Sequence, residues 1–147
     1  MQKKRTRCGV AFSKQNWESI IFNESIIINN PVGCFLADPF LLNRSNKDYC
    51  FVEEYNYKDE KAYISVYELD NENYSRLGIA LKENFHLSFP YIFVYQDKVY
   101  MCPETSQNKD IRLYESTKFP MKWHLSKVLM SNVSAADTMI FQYNDIW

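Results

Sequence analysis

The strongest constraint on this chain is that it repeats itself about every 50 residues. Cys50-Phe51-Val52-Glu53 aligns with Met101-Cys102-Pro103-Glu104 at an offset of 51, and Pro39 aligns with Pro90 at the same offset. Ile64-Ser65-Val66-Tyr67-Glu68 aligns with Ile111-Arg112-Leu113-Tyr114-Glu115 at an offset of 47. Trp17 and Trp123 stand two periods apart, at equivalent positions of outer strands, and are expected to be packing residues. Asp137-Thr138 takes the place held by Asp38-Pro39 and by Phe89-Pro90. A chain with such a period builds one supersecondary unit several times and stacks the copies.

Each unit reads as four strands. In the first they are 35–42, 48–55, 61–69 and 76–82, and in the second 88–95, 97–103, 110–116 and 123–130. Turn-forming residues separate them, at 43–47, 56–60, 96–97 and 106–109. Ala62, Ile64 and Val66 alternate with Tyr63, Ser65 and Tyr67, as the period of a pleated strand requires. Four short antiparallel strands per unit make a β-propeller blade, and a sandwich does not repeat its own sequence at this spacing. The expected fold class is therefore all-β, a propeller of four-stranded antiparallel blades. Its parts are a half blade at 7–22, full blades at 35–82 and 88–130, and the start of another at 137–147. Closed propellers need about four to eight blades. The chain is accordingly expected to be a piece of a larger ring.

Composition narrows the function. The chain is 46% hydrophobic and 24% charged, which is globular rather than disordered. Its net charge is −1 and its only basic cluster is the short run Lys3-Lys4-Arg5, which argues against nucleic acid as a partner. No apolar run is long enough to span a membrane. No apolar segment of signal-peptide type follows the basic start, and a cytoplasmic location is expected. The cysteines at 8, 34, 50 and 102 and the histidines at 86 and 124 have no metal-ligand spacing. The thiols read as small hydrophobes in a reducing compartment, and neither a metal nor a cofactor is expected. Three glycines do not make a phosphate-binding loop.

Asp38 interrupts the apolar run FLADPFLL, where a buried carboxylate is costly unless it is paired. At the start of a blade's first strand it faces the central channel instead, and a proline is tolerated there. The segment His86-Leu87-Ser88 and Asp137 hold the corresponding places in the next blades. Asp38 and Asp137 are the candidate catalytic residues, and His86, Ser88 and Glu104 the candidate ligand contacts. Glu53 and Glu54 are further local carboxyls. The repeat equivalence of Glu53 and Glu104 also fits a structural role, holding backbone or tyrosine hydroxyl groups between blades. Asp38 alone could equally fix a turn by accepting nearby backbone N–H groups.

The ordered set FLADPFLL, YCFVEEY, HLSFPYIF, VYMCPET, IRLYES with FPMKW, and ADTMIF resembles a five-bladed propeller family. It is the glycoside hydrolase family 43-like domain at the N-terminal side of glucosamine inositolphosphorylceramide transferases, with bacterial relatives that occur alone or fused to formyltransferase-type domains. The resemblance covers residues 7–147 and implies that about half of the five-bladed ring is present. Family 43-like enzymes use three carboxylates. Asp38 matches the base by motif, and Asp137 matches the second Asp by position. The acid Glu would lie about one repeat past Asp137, beyond Trp147.

The resemblance implies a carbohydrate-binding module of a glycan-transfer protein, with catalysis on a fused or partner transferase domain. The alternative is a glycoside hydrolase with Asp38 as base and its acid beyond residue 147. A protein-interaction propeller, which needs no polar pocket, is the third.

Overall fold

A computed structural model describes residues 8–19, 21 and 24–147. The described chain is all-β, with ten strands in three antiparallel sheets. Strands β1 (Val10–Phe12) and β2 (Ile26–Ile28) form a two-stranded ribbon. Strands β3 (Cys34–Arg44), β4 (Lys47–Asn56), β5 (Lys61–Leu69) and β6 (Tyr74–Leu81) form the first four-stranded meander. Strands β7 (Ser88–Tyr95), β8 (Lys98–Glu104), β9 (Asp110–Lys118) and β10 (Lys122–Ser131) form the second.

The turns that join the first two strands of each unit share one geometry. Ser45-Asn46 and Gln96-Asp97 both have positive φ at each residue, the backbone of a type I′ hairpin turn. Asn144-Asp145 repeats it, and Tyr143 bridges Ile146 across it. The chain past β10 thus begins the same hairpin a third time.

Alternation along β4 and β5 feeds two cores. Phe51, Ile64 and Val66 face the second sheet and meet Ile92, Val99, Met101 and Tyr114 there. Cys50, Val52 and Tyr67 face the other way, onto Val10 and Ile28 of the ribbon. The first sheet is covered on both faces, so residues 62–67 of β5 are all buried despite their alternating pattern.

Two expectations need correction. Pro39 does not open a strand, because β3 already starts at Cys34, opposite Asn56. The register between β3 and β4 shifts between Ala37 and Phe40, so Asp38-Pro39 forms a bulge in mid-strand. The shift between Ser88 and Tyr91 places Phe89-Pro90 in the matching bulge of β7. A bulge tolerates the missing proline N–H as well as a strand start does. Second, Trp17 is not a packing residue: it lies in the Asn16–Ser19 turn and is 80% exposed. Trp123 does pack, edge-on against Phe51, with its indole N–H donated to the Pro120 carbonyl. Strand β1 falls within the half blade expected at 7–22, while its partner β2 follows it; residues 7, 20 and 22 lie outside the described residues.

Candidate functional site

The site grows out of the bulges. Asp38, Phe89 and Asp137 stand at equivalent repeat positions, and each has a left-handed backbone with φ of 47°, 44° and 50°. Such a conformation is uncommon for side chains other than Asn and Asp, so its recurrence in three successive units is a built feature. The bulge takes the residue's N–H out of the ladder, and that donor needs another acceptor. The Phe89 N–H is donated to Asp38 Oδ2 at 3.2 Å, across the boundary between the two sheets. The Asp137 N–H is donated to Glu104 Oε2 at 3.1 Å. In both cases a carboxylate of one unit takes the freed N–H of the next.

Strands β3 and β7 run side by side at this boundary, with Phe40 edge-on to both Phe89 and Tyr91. His86 is placed by the segment leading into β7, which runs beside the upper end of β5. There the Ala62 carbonyl accepts the Leu87 N–H, and the Ala62 N–H is donated to His86 Nδ1 at 3.1 Å. The side-chain oxygen of Gln107 accepts the His86 backbone N–H. With Nδ1 an acceptor, the neutral imidazole carries its proton on Nε2. Burial holds the His86 pKa below its ordinary value, against the opposing pull of Glu104 and Asp38.

His86 Nε2 lies 3.5 Å from Glu53 Oε1. Glu53 is buried, and its carboxyl stands near enough to that of Asp38 for the two to act on each other. Burial first, then the Asp38 and Glu104 carboxylates, push the Glu53 pKa up to about 8. The repeat equivalence of Glu53 with Glu104 points to a structural role. Glu53 proves to be the centre of the group, linking His86 to Asp38.

The other expected residues divide. Asp38, His86 and Glu104 come together and are half-buried. Glu104 accepts the Ser106 hydroxyl at 2.6 Å as well as the Asp137 backbone N–H. Ser88 pairs with Glu104 across β7 and β8 but is itself buried. Asp137 is exposed and joins the group through its backbone N–H. Glu54 points to the opposite face, where it holds Arg76 through both carboxylate oxygens and accepts the Ser65 hydroxyl.

An aromatic shelf adjoins the carboxyls. Phe35 stacks on Tyr55 with centroids 4.9 Å apart, Tyr57 meets both rings, and Tyr55 lies 6.1 Å from His86. All three are half-buried. The signal was legible, since Glu53, Tyr55 and Tyr57 alternate along one strand and its end, at the spacing that puts residues on one face. The site therefore offers carboxylate acceptors beside aromatic planes. Among the described residues, no cluster of His, Cys, Asp and Glu is arranged to hold a metal ion, and no helix is long and apolar enough to cross a membrane.

Comparison with known proteins gives a consistent picture. The family model described as glucosamine inositolphosphorylceramide transferase 1, N-terminal, matches residues 18–147. Glucosamine inositolphosphorylceramide transferase 1 of Oryza sativa subsp. japonica is 39% identical over 115 residues, covering 77% of this chain and 15% of the rice protein. The protein of the same name from Arabidopsis thaliana is 33% identical over the same length and shares. The chain spans about 15% of the length of the curated relatives it matches. No solved structure matches.

Proposed function

The chain belongs to the glucosamine inositolphosphorylceramide transferase 1 N-terminal family, and from that premise we propose that it is a carbohydrate-binding module of a glycan-transfer protein. The observation that carries the reading is the juxtaposition of Asp38 and Glu104 with the Phe35–Tyr55–Tyr57 shelf. Sugar hydroxyls and a sugar ammonium are donors, matched by carboxylate acceptors, and the apolar face of a pyranose stacks on an aromatic plane. The relatives' name contains glucosamine, an amino sugar, which makes that class the first to test. Catalysis falls to another part of the full protein. The fold we propose is a set of propeller blades, supported by the repeat, by the side-by-side first strands and by the recurrent bulges.

A hydrolytic role is the second reading, with Asp38 as base. Glycoside hydrolysis needs two carboxyl groups separated by at least about 5 Å to flank the bond. Glu53 stands too near Asp38 to leave such a gap, since the two carboxyls act directly on each other. That reading therefore needs an acid other than Glu53.

Calorimetric titration with glucosamine, N-acetylglucosamine and neutral hexoses tests the proposal. Binding of at least one is expected, weakened tenfold or more (about 1.4 kcal/mol) in both Asp38→Asn and Tyr55→Ala. Absence of binding to every sugar, or unchanged affinity in both variants, would overturn it.

A further inference from the structure

We propose that Glu53 is the positioning residue of this site: it acts as a hydrogen-bond donor that holds the Asp38 carboxylate in place, with His86 as its own support. The proposal rests on the reading that Asp38 touches ligand. Its geometry is fixed by three separate contacts. The Ala62 N–H on His86 Nδ1 leaves Nε2–H as the group that faces Glu53 Oε1. Asp38 Oδ2 is already an acceptor for the Phe89 N–H. The β3–β4 register sets Glu53 opposite Ala37, next to Asp38, and two carboxyl groups can hydrogen-bond to each other only by sharing a proton, because neither oxygen pair can donate when both are ionised. The proton belongs on the more buried member. Glu53 is 8% exposed, whereas Asp38 is half-buried and already charge-stabilised by a backbone N–H.

The order that follows is a directed chain. Ala62 N–H donates to His86, whose Nε2 faces Glu53 Oε1 at 3.5 Å, Glu53 O–H donates to Asp38, and Asp38 also accepts from Phe89. Among the described residues, the charged groups acting on Glu53 are Asp38 and Glu104, both negative, and His86 beside it is neutral. No cation is among them to stabilise an ionised Glu53.

Glu104 provides an internal contrast. It stands at the equivalent position, opposite Ser88, but the next residue, in the place of Asp38, is Phe89 rather than an aspartate. It accepts two donors, the Asp137 N–H and the Ser106 hydroxyl, and has no carboxylate to donate to. One repeat position therefore holds a donor in the first unit and an acceptor in the second.

The decisive experiment observes the carboxyl carbon of Glu53 by NMR in the ligand-free chain, assigned by its loss in Glu53→Gln. A titration midpoint near 8 is expected, moving down by a unit or more in Asp38→Asn. A midpoint in the ordinary glutamate range, about 4.3, overturns the proposal whether or not any sugar binds. Calorimetry against the sugar that binds supplies the second readout. Glu53→Gln, which keeps a donor, should bind within about twofold of the parent and lose the decline in affinity above pH 8. Glu53→Ala should weaken binding tenfold or more. Equal binding by the Ala variant, or an unchanged pH profile in the Gln variant, also overturns it. Failure of all sugars to bind, with a midpoint near 8, instead removes the carbohydrate reading and leaves the shared proton standing.

Discussion

Glu53 and Glu104 are the same residue type at the same repeat position, yet their surroundings give them different work. Glu53 faces Asp38 and its carboxyl pKa is raised, chiefly by burial. The consequence for stability has a definite sign. A carboxyl whose folded pKa is about 8 and whose unfolded value is 4.5 binds more protons in the folded state between those limits. Stability must then fall as pH rises from about 4.5 to 8 and level off above, as far as this group is concerned. Thermal melts across that window should show a flatter dependence for Glu53→Gln than for the parent. Parallel curves would mean that Glu53 ionises freely in the folded chain. The cysteines make a simpler case at the same scale. Burial pushes the thiols of Cys50 and Cys102 up to about 12 and about 11, so a thiol reagent at pH 8 should label exposed Cys8 rapidly and neither buried thiol until the chain unfolds. Burial of these two was readable from their apolar strand context. The proton shared by Glu53 and Asp38 was not, because it depends on the β3–β4 register that sets Glu53 opposite Ala37, one residue from the bulge.

At the scale of elements, the strands were the most legible part. Their expected limits agree with the observed ones to within about two residues, because turn residues and the period of two mark both ends. The bulges were hidden, since Asp38-Pro39 and Phe89-Pro90 look alike whether they open a strand or interrupt one. The type I′ turns carry their own prediction. Gln96 and Asp97 both occupy positive φ, where an L-side chain costs energy and Asn-Gly is the favoured pair. The double change Gln96→Asn with Asp97→Gly should stabilise the chain by about 1 kcal/mol, which raises Tm by roughly 2–8 °C. No gain would show that the flanking strands already dictate the turn. The Glu54–Arg76 pair links β4 to β6 across β5, with the Ser65 hydroxyl between them. Glu54 is buried while the Arg76 side chain is 38% exposed. Arg76→Ala would strand a buried carboxylate, at a cost of about 3 kcal/mol by chemical denaturation, the low end of the range because solvent reaches the guanidinium.

At the scale of the molecule, the two four-stranded sheets differ in what covers them. Leu42, Tyr49 and Val66 of the first sheet belong to the core it shares with the second. Their repeat equivalents Phe93, Tyr100 and Leu113 lie on the far face of the second sheet, lining an open groove of about 860 Å³ with Phe141, Tyr143 and Trp147. The propeller reading assigns that face to another sheet of the same kind, whose first hairpin is the turn at Asn144-Asp145. Paired substitutions separate this from a face that merely ends the molecule. Val66 is fully buried, and Val66→Asp places an unpaired charge in the core, so that variant should fail to fold. Leu113→Asp, at the equivalent position, should keep the circular dichroism and melting behaviour of the parent. It should also reduce dye binding and concentration-dependent association, since a contiguous exposed apolar groove drives both. If Leu113→Asp unfolds the chain as Val66→Asp does, the groove is already core, and no further sheet is needed to close it.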